Sequence, residues 1–183
     1  VDFGAGVGRV SMGLNLSFNN SHVLSVDFSK GHLETLMENL KNPRLDLFHK
    51  VRPNNIQGLS YSTLDELRRH LSFLSPSLIV STMVLQHNPP PLITFLTETL
   101  LNSLTKGGLA VLHIPVFGFH YSFDLNRYLS QSMESRMDMQ MHAIPTDAIF
   151  EIAKNSDCQV VQFLPSHDCV DSFLSYDVVF QKS

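Results

Sequence analysis

The sequence contains only two cysteines in 183 residues and has no apolar run long enough to span a membrane. Cys158 and Cys169 show neither CxxC nor Cys/His spacing, so we interpret both as small apolar fillers and expect no metal site. Nothing requires an oxidising compartment, and we expect a cytoplasmic protein without a membrane partner. No signal peptide opens the chain, and because residue 1 is valine we expect the natural start to be absent.

Charge is also scarce, because charged residues make up 16% of the chain against roughly 25% in typical soluble domains. The net charge of −4 argues against a groove that follows a phosphate backbone, since such a groove needs an excess of Lys and Arg. We therefore expect no nucleic-acid partner. The length and the 43% hydrophobic fraction are ordinary for one globular domain, and we expect residues 1–183 to form a single domain.

Short apolar runs alternate with amphipathic segments along the chain. After a strand that ends at the first glycine, the runs predict strands at 22–28, 45–51, 77–83, 109–115, 159–164 and 176–181. The amphipathic segments predict helices at 7–18, 30–41, 64–74, 91–104, 124–132 and 147–155, and the polar stretch 52–60 predicts a loop. This alternation is typical of a doubly wound α/β sheet, and the last two strands could pair as an antiparallel hairpin.

Local signals support several of these helices. Ser29 and Thr146 are predicted N-caps, and Thr63 with Glu66 has the form of a capping box. Apolar residues at helical spacing predict the buried sides of the first two helices, which are Val7, Val10, Leu14 and Phe18, then Leu33, Leu36, Met37 and Leu40.

Residues 116–145 break the alternation and are rich in aromatic residues and methionine. We interpret this segment as an insertion. It predicts either an apolar substrate lid or a small satellite core beneath a long loop.

A glycine-rich turn, GAGVG at residues 4–8, joins the first strand to the first helix. Glycines there allow positive φ and let a ligand approach bare peptide. Asp27 ends the following strand, where its carboxylate can accept two hydrogen bonds from a ribose diol. In open α/β sheets ligands bind beyond the carboxyl ends of the strands, so these features predict a ligand that contains a nucleoside.

Two classes of cofactor compete for such a turn. The dinucleotide pattern GxGxxG places its third glycine where this sequence has Arg9, with Gly8 one position earlier. The GxGxG spacing that begins at Gly4 fits a cofactor that lacks a pyrophosphate, with a methionine tail against the glycines.

At four places the sequence resembles the class I S-adenosylmethionine-dependent methyltransferases. That family's first motif looks like VDFGAGVGR at 1–9, and its second motif looks like SVDFSKGHL at 25–33. Its fourth strand with the exit looks like SLIVSTMVLQHNPPP at 77–91, and its fifth strand looks like KGGLAVLHIP at 106–115. The resemblance implies a Rossmann-like, mostly parallel seven-stranded sheet whose last strand is antiparallel. Helices that precede the first strand in that family are missing, so we expect an N-terminally truncated fragment.

The resemblance also implies residues for the cofactor S-adenosylmethionine. Gly4, Gly6 and Gly8 would hold its methionine part, and Asp27 its ribose. Phe28 would flank the adenine, and Asp2 would orient the turn or reach the amino group. Ser81 and Thr82 would lie near the methionine tail, and the insertion 116–145 would lie on the substrate side. The family's third motif is unclear here, and Asn55 and Gln57 are its candidates.

Methyl transfer from a sulfonium is an in-line displacement, so the protein mainly aligns the methyl group with a nucleophile. An oxygen or nitrogen nucleophile can also need a general base. His87 follows the fourth predicted strand, while His120 and Tyr121 begin the insertion, and these three are our candidate catalytic residues. His142 could close over the same place, whereas His113 is expected in the core.

Three functions therefore remain open. The leading hypothesis is methyl transfer to an oxygen or nitrogen atom of a small-molecule acceptor. The alternatives are an NAD-binding oxidoreductase on a Rossmann sheet and a non-catalytic module that binds the cofactor. Arg9 argues against the oxidoreductase, and the retained glycines and Asp27 argue against the non-catalytic module.

Overall fold

The structure is a computed structural model that describes residues 1–18, 21–41, 50–132, 140–166 and 172–183. The chain separates into two compact units, Val1–Phe73 and Leu74–Ser183. Its seven strands form one mixed sheet, as the sequence predicted, so the α/β fold class is confirmed. Among the described residues no helix is both long enough and apolar enough to cross a membrane.

The first unit alternates strands and helices from its first residues. The elements are β1 Asp2–Phe3, α1 Arg9–Ser17, β2 Val23–Asp27, α2 Lys30–Lys41, β3 Ile56–Ser60 and α3 Leu64–Ser72. The strand order is β3-β2-β1, and both pairings are parallel. Parallel pairing brings the carboxyl ends of the strands together, and Asp27 is opposite Ser60 in the register.

Helix α2 follows the predicted pattern closely. Leu33, Leu36 and Leu40 are buried in the core of this unit, and Met37 packs against the same cluster. The Ser29 hydroxyl accepts the backbone N–H of His32, which confirms the predicted N-cap. At α3 the Thr63 hydroxyl likewise accepts the backbone N–H of Glu66 at 3.2 Å.

The predicted apolar side of α1 is confirmed only in part. Leu14 packs against the core cluster, but Val7 and Phe18 are 46% and 49% exposed, and Ser11 and Asn15 are buried. The Asn15 side-chain oxygen accepts the backbone N–H of Arg52 at 2.8 Å, while its side-chain nitrogen is buried without a hydrogen-bond partner among the described residues. Apolar spacing alone does not reveal the polar groups that this helix also buries.

Strand β3 lies within the stretch 52–60 that the sequence predicted to be a loop, so that prediction was wrong. It is an edge strand in which only Ile56 is fully buried, and such a strand lacks the apolar run of a central one. A 3-10 turn, Pro53–Asn55, leads into it. Residues 45–49 of the strand predicted at 45–51 lie outside the described residues, and Val51 is not in a strand.

The described residues of the second unit form the other four strands and three α-helices. They are β4 Leu78–Ser81, α4 Pro90–Ser103, β5 Leu109–Gly118, α5 Leu125–Ser130, α6 Thr146–Asn155, β6 Cys158–Ser166 and β7 Phe173–Lys182. The strand order is β4-β5-β7-β6. Strands β4 and β5 are parallel, and β7 is antiparallel to both β5 and β6, which confirms the predicted hairpin and antiparallel last strand.

Three sequence-based expectations about this unit can be compared with the structure: the end of β5, the cap of α6 and the burial of Cys158. Strand β5 continues to Gly118, so its last residues come from the predicted insertion. Thr146 begins α6, and Pro145 occupies the N-cap position without a side-chain hydrogen bond, so the predicted Thr146 cap was wrong. Cys158 is buried as expected for an apolar filler, and Cys169 lies outside the described residues.

Candidate functional site

The glycine-rich turn lies directly against the end of β2. The backbone N–H groups of Gly4 and Ala5 both donate to the carbonyl oxygen of Val26, at 2.8 and 3.1 Å. Gly4, Gly6 and Gly8 have φ values of 74°, 52° and 94°, in the left-handed region that favours glycine. The turn therefore depends on its glycines for conformation as well as for space.

Gly6 and Gly8 have different surroundings. A Cβ atom added to Gly6 would meet nothing within 4 Å, so bare peptide faces open space there. A Cβ atom on Gly8 would lie 2.6 Å from Cγ of the fully buried Leu36. Gly8 thus permits close approach of the turn to α2, while Gly6 leaves room for a ligand.

Asp27 joins this turn through its side chain. Its Oδ2 accepts the backbone N–H of Gly6 at 2.8 Å, and its Oδ1 accepts the backbone N–H of Ser29 at the same distance. His32 Nδ1 lies 3.6 Å from Oδ1. An ionised carboxylate has about four acceptor positions, so capacity remains for a further donor. The structure thus brings the predicted acid and the predicted turn together.

Asp2 lies behind the turn and is almost completely buried. Its Oδ2 accepts a 2.6 Å hydrogen bond from the Ser11 hydroxyl, which is also 2.6 Å from the Ser25 hydroxyl. Burial raises the pKa of the Asp2 carboxyl above its usual range, and the hydrogen bond from Ser11 opposes that shift. Asp2 therefore connects β1, α1 and β2 beneath the glycines.

Two aromatic residues flank this region of the first unit. Phe28 is 74% exposed immediately after Asp27. Tyr61 follows β3 and stacks on Phe3 with ring centroids 6.4 Å apart. Burial, assisted by the negative charge of Asp27, raises the pKa of the Tyr61 hydroxyl to about 12.

Sequence reasoning missed Tyr61 because β3 was interpreted as a loop. The parallel register places Asp27 beside Ser60, so the residues after Ser60 are the neighbours of the carboxylate. Asn55 and Gln57, the candidates for the third motif, lie at the opposite end of β3. Correct identification of the strand would have led to Tyr61.

In the second unit, β4 ends at Ser81 and is followed by Thr82. Ser81 is buried, and its hydroxyl oxygen has no hydrogen-bond partner among the described residues. Thr82 is half-buried. A buried hydroxyl without a partner costs on the order of 1–3 kcal/mol, so Ser81 is suited to a group that the protein does not supply.

His87 lies at the end of a 3-10 turn that follows β4. Its Nε2 lies 3.3 Å from the side-chain amide nitrogen of Gln86, and its Nδ1 lies 3.4 Å from the backbone carbonyl oxygen of Gln140. An amide nitrogen donates and a carbonyl accepts, so the neutral ring carries its proton on Nδ1. Both ring nitrogens are therefore engaged by the protein.

The segment that contains His142 is hydrogen-bonded to the 3-10 turn after β4 and to β5. The backbone N–H of His142 donates to the carbonyl oxygen of Gln86 at 2.8 Å. The backbone N–H of Ile144 donates to the carbonyl oxygen of Pro115 at 3.1 Å. His142 is consequently held at the carboxyl-end edge of these parallel strands.

Three aromatic rings surround the buried imidazole of His142. The rings of Tyr121, Phe123 and Tyr128 lie 5.7–6.0 Å from it in edge-to-face orientation. The Tyr121 hydroxyl is 3.1 Å from His142 Nδ1. Burial, with a smaller effect of His87, lowers the pKa of His142, so the ring is neutral at neutral pH.

The three candidate catalytic residues therefore have different positions. Tyr121 belongs to the His142 cluster, and His87 contacts the segment that carries His142. His120 is exposed with a φ of 58° and is in neither set of contacts. His113 is buried in β5, as expected for a core histidine.

A cavity of about 370 Å³ opens beside this cluster. Its lining residues come from the predicted insertion and include both aromatic and polar side chains, namely Tyr121, Ser122, Phe123, Asp124, Arg127, Tyr128, Gln131, Gln140, Met141 and His142. No set of three or more His, Cys, Asp or Glu side chains suited to a metal ion occurs in the described part of the chain.

No protein-family model matches the chain, and no curated protein matches its sequence. Solved structures do match its fold. The magnesium protoporphyrin IX methyltransferase of Synechocystis PCC 6803, solved with bound S-adenosylhomocysteine, matches with a TM-score of 0.66 at 14% identity, over 100% of this chain and 72% of that one.

Two further structures give the same result. A SAM-dependent methyltransferase from Methanosarcina mazei has a TM-score of 0.66 at 15% identity, over 99% of this chain and 90% of its own. An arsenic(III) S-adenosylmethionine methyltransferase from Chlamydomonas reinhardtii has a TM-score of 0.65 at 17% identity, over 98% and 61%. The chain therefore has the fold of the class I S-adenosylmethionine-dependent methyltransferases.

Proposed function

We propose that this protein is an enzyme that binds S-adenosylmethionine and transfers its methyl group to an oxygen or nitrogen atom of a small-molecule acceptor. One observation carries the proposal: the Asp27 carboxylate accepts the backbone N–H of Gly6, next to peptide that faces open space. A carboxylate beside bare backbone suits a ligand that combines a ribose diol with a slender amino-acid tail.

The residues of the first unit fit the parts of this cofactor. The unused acceptor positions of Asp27 suit the ribose hydroxyls, and the open space at Gly6 suits the methionine part. The exposed ring of Phe28 is available to the adenine. The hydrogen bonds from Gly4 and Ala5 to Val26, and from Gly6 to Asp27, hold the glycines in place before any ligand binds.

The same geometry disfavours a dinucleotide. The third glycine of the dinucleotide pattern would stand at position 9, where this chain has Arg9 as the first residue of α1. Gly8 instead precedes the helix and permits close packing against Leu36. The structure therefore gives no support to the oxidoreductase alternative.

When bound, the cofactor supplies an activated methyl group, and the protein's task is to align it with the acceptor. The roles suggested for Ser81 and Thr82 at the methionine part, and for His87 and Tyr121 at the acceptor, stay predictions. His120 has the weakest claim of these residues, because its exposed side chain belongs to none of the contacts described above.

Isothermal titration of the protein with S-adenosylmethionine and S-adenosylhomocysteine tests the proposal. Asp27→Asn is expected to weaken binding of both ligands roughly 10- to 100-fold, since hydrogen bonds to charged groups contribute about 1.5–3 kcal/mol. Glu34→Gln is the matched control, because Glu34 is an exposed carboxylate on the neighbouring helix.

The outcomes separate cleanly. Tight binding by the wild type and the Glu34→Gln variant, with a loss in Asp27→Asn, supports the proposal. Thermal melts of all three proteins show whether the Asp27→Asn protein is still folded. No heat from either ligand, or equal affinities for wild type and Asp27→Asn, would overturn the proposed site.

A further inference from the structure

The cavity beside His142 lies where a ligand of this sheet is expected. The hydrogen bonds from His142 to Gln86 and from Ile144 to Pro115 attach one wall to the 3-10 turn after β4 and to the part of β5 that lies beyond its pairing with β4. Ligands of open α/β sheets bind beyond that edge. The volume of about 370 Å³ falls within the roughly 300–1,000 Å³ of small-molecule sites.

The apolar part of the lining is aromatic. The rings of Phe123 and Tyr128 are 5.7 Å apart and tilted by 48°, and both are half-buried. They also pack edge-on against His142, which holds them in place. Rings in such fixed positions favour a flat partner that can stack or pack edge-to-face against them.

The polar part of the lining offers a hydrogen-bond donor. The Tyr121 oxygen accepts the backbone N–H of Ala143, and its own O–H can donate to His142 Nδ1 at 3.1 Å. In that arrangement the neutral His142 ring carries its proton on Nε2. Nε2 has no protein partner among the described residues, so its N–H is available to an oxygen of the ligand.

An acceptor is also present. Gln131 lines the cavity, and its side-chain oxygen is buried without a hydrogen-bond partner in the described residues. A ligand hydroxyl can donate to one group and accept from another, so it suits a donor at His142 and an acceptor at Gln131.

We infer that this cavity binds the methyl acceptor, and that it selects a planar aromatic ring that carries a hydroxyl group. The inference that the ligand is a methyl acceptor rests on the proposed function, but the selectivity of the cavity can be measured without turnover. Tyr121 acts in it as a positioning residue that fixes the proton of His142.

The first experiment compares probes of matched shape. The chain lacks tryptophan, so the fluorescence of 2-naphthol can be excited without interference from the protein. We expect 2-naphthol to bind about threefold to tenfold more tightly than its saturated analogue decahydro-2-naphthol, the range given by aromatic packing. Calorimetric competition gives the affinity of the non-fluorescent probe.

Equal affinity for the saturated analogue would overturn the aromatic preference.

Variants locate the binding. Phe123→Leu keeps an apolar side chain but removes the ring, and is expected to weaken 2-naphthol binding about threefold to tenfold. Phe119→Leu is the control, because Phe119 is 69% exposed in the same segment and does not line the cavity. Equal affinities for the two variants would place the probe elsewhere and overturn the inference.

Tyr121→Phe tests the positioning role. It keeps the ring but removes the hydrogen bond to His142, so 2-naphthol is expected to bind roughly 2- to 10-fold more weakly. The affinity for 2-methylnaphthalene, which lacks the hydroxyl, should stay unchanged. A parallel loss for both probes would indicate a merely structural role and contradict the assignment.

Titration with S-adenosylhomocysteine on the same preparations distinguishes the two proposals. If that ligand binds and 2-naphthol shows no selectivity, this inference fails while the proposed function stands. If 2-naphthol binds selectively and S-adenosylhomocysteine does not bind, the proposed function fails while the selectivity of the cavity stands.

Discussion

Alanine substitutions at Gly6 and Gly8 separate the two tasks of the glycine-rich turn. Both residues have positive φ, which costs an L-residue roughly 1–2 kcal/mol. At Gly8 the added Cβ would also lie 2.6 and 2.8 Å from Cγ and Cδ1 of Leu36, which is fully buried and cannot move away freely. Overpacking of this kind costs about 1–3 kcal/mol more.

Gly8→Ala is therefore expected to lower the free energy of unfolding by about 2–5 kcal/mol, and Gly6→Ala by only about 1–2 kcal/mol. The difference corresponds to a melting temperature roughly 2–12 °C lower for Gly8→Ala, given about 2–4 °C for each kcal/mol at this chain length. Thermal unfolding followed by circular dichroism measures both variants against the wild type.

For each kcal/mol of stability lost, Gly6→Ala should weaken ligand binding more than Gly8→Ala does. The methyl group of Gly6→Ala enters the open space beside Asp27, where we propose that the cofactor binds. The affinity of the Gly6→Ala variant for S-adenosylhomocysteine is expected to fall at least about tenfold while the fold is retained. Equal melting temperatures for the two variants, or wild-type affinity in Gly6→Ala, would refute the reasoning.

Two further predictions concern buried polar groups. Burial and His87 lower the pKa of His142 from 6.5, so its contribution to stability is complete above pH 6.5 and is lost as pH falls towards the folded-state pKa. His142→Asn should therefore flatten the fall in melting temperature between about pH 7.5 and pH 5, and an unchanged slope would contradict this. Ser11→Ala removes the 2.6 Å hydrogen bond to the buried Asp2 carboxylate and is expected to cost about 1–3 kcal/mol in urea unfolding, whereas Ser72→Ala, on the exposed end of α3, should change little.

The sequence predicted those parts of the fold whose pattern arises within one element. Helix α2 has the predicted bounds, because its buried leucines recur at helical spacing and its N-cap is local. Strand β3 was missed, since an edge strand with one buried anchor at Ile56 carries no such pattern. The buried polar residues of α1 were missed because their hydrogen-bond partners are distant in sequence.

The same distinction applies to the candidate site. The glycines and Asp27 could be predicted, because a turn between a strand and a helix imposes its own residue types. Tyr61 depended on a strand register that periodicity does not show. The enclosure of His142 by Tyr121, Phe123 and Tyr128 depends on the return of residues 140–144 to the strand ends, which no local signal encodes.

The central claim is that the turn at Gly6, held by Asp27, is where S-adenosylmethionine binds. Amide NMR of the isotopically labelled protein tests it most directly, because the Gly6 N–H donates to the Asp27 carboxylate. Addition of S-adenosylhomocysteine should shift the amide signals of Gly4, Gly6 and Phe28, and leave that of Gly107, in the turn before β5, unchanged. Saturation with the ligand without a change at Gly6 would contradict the account.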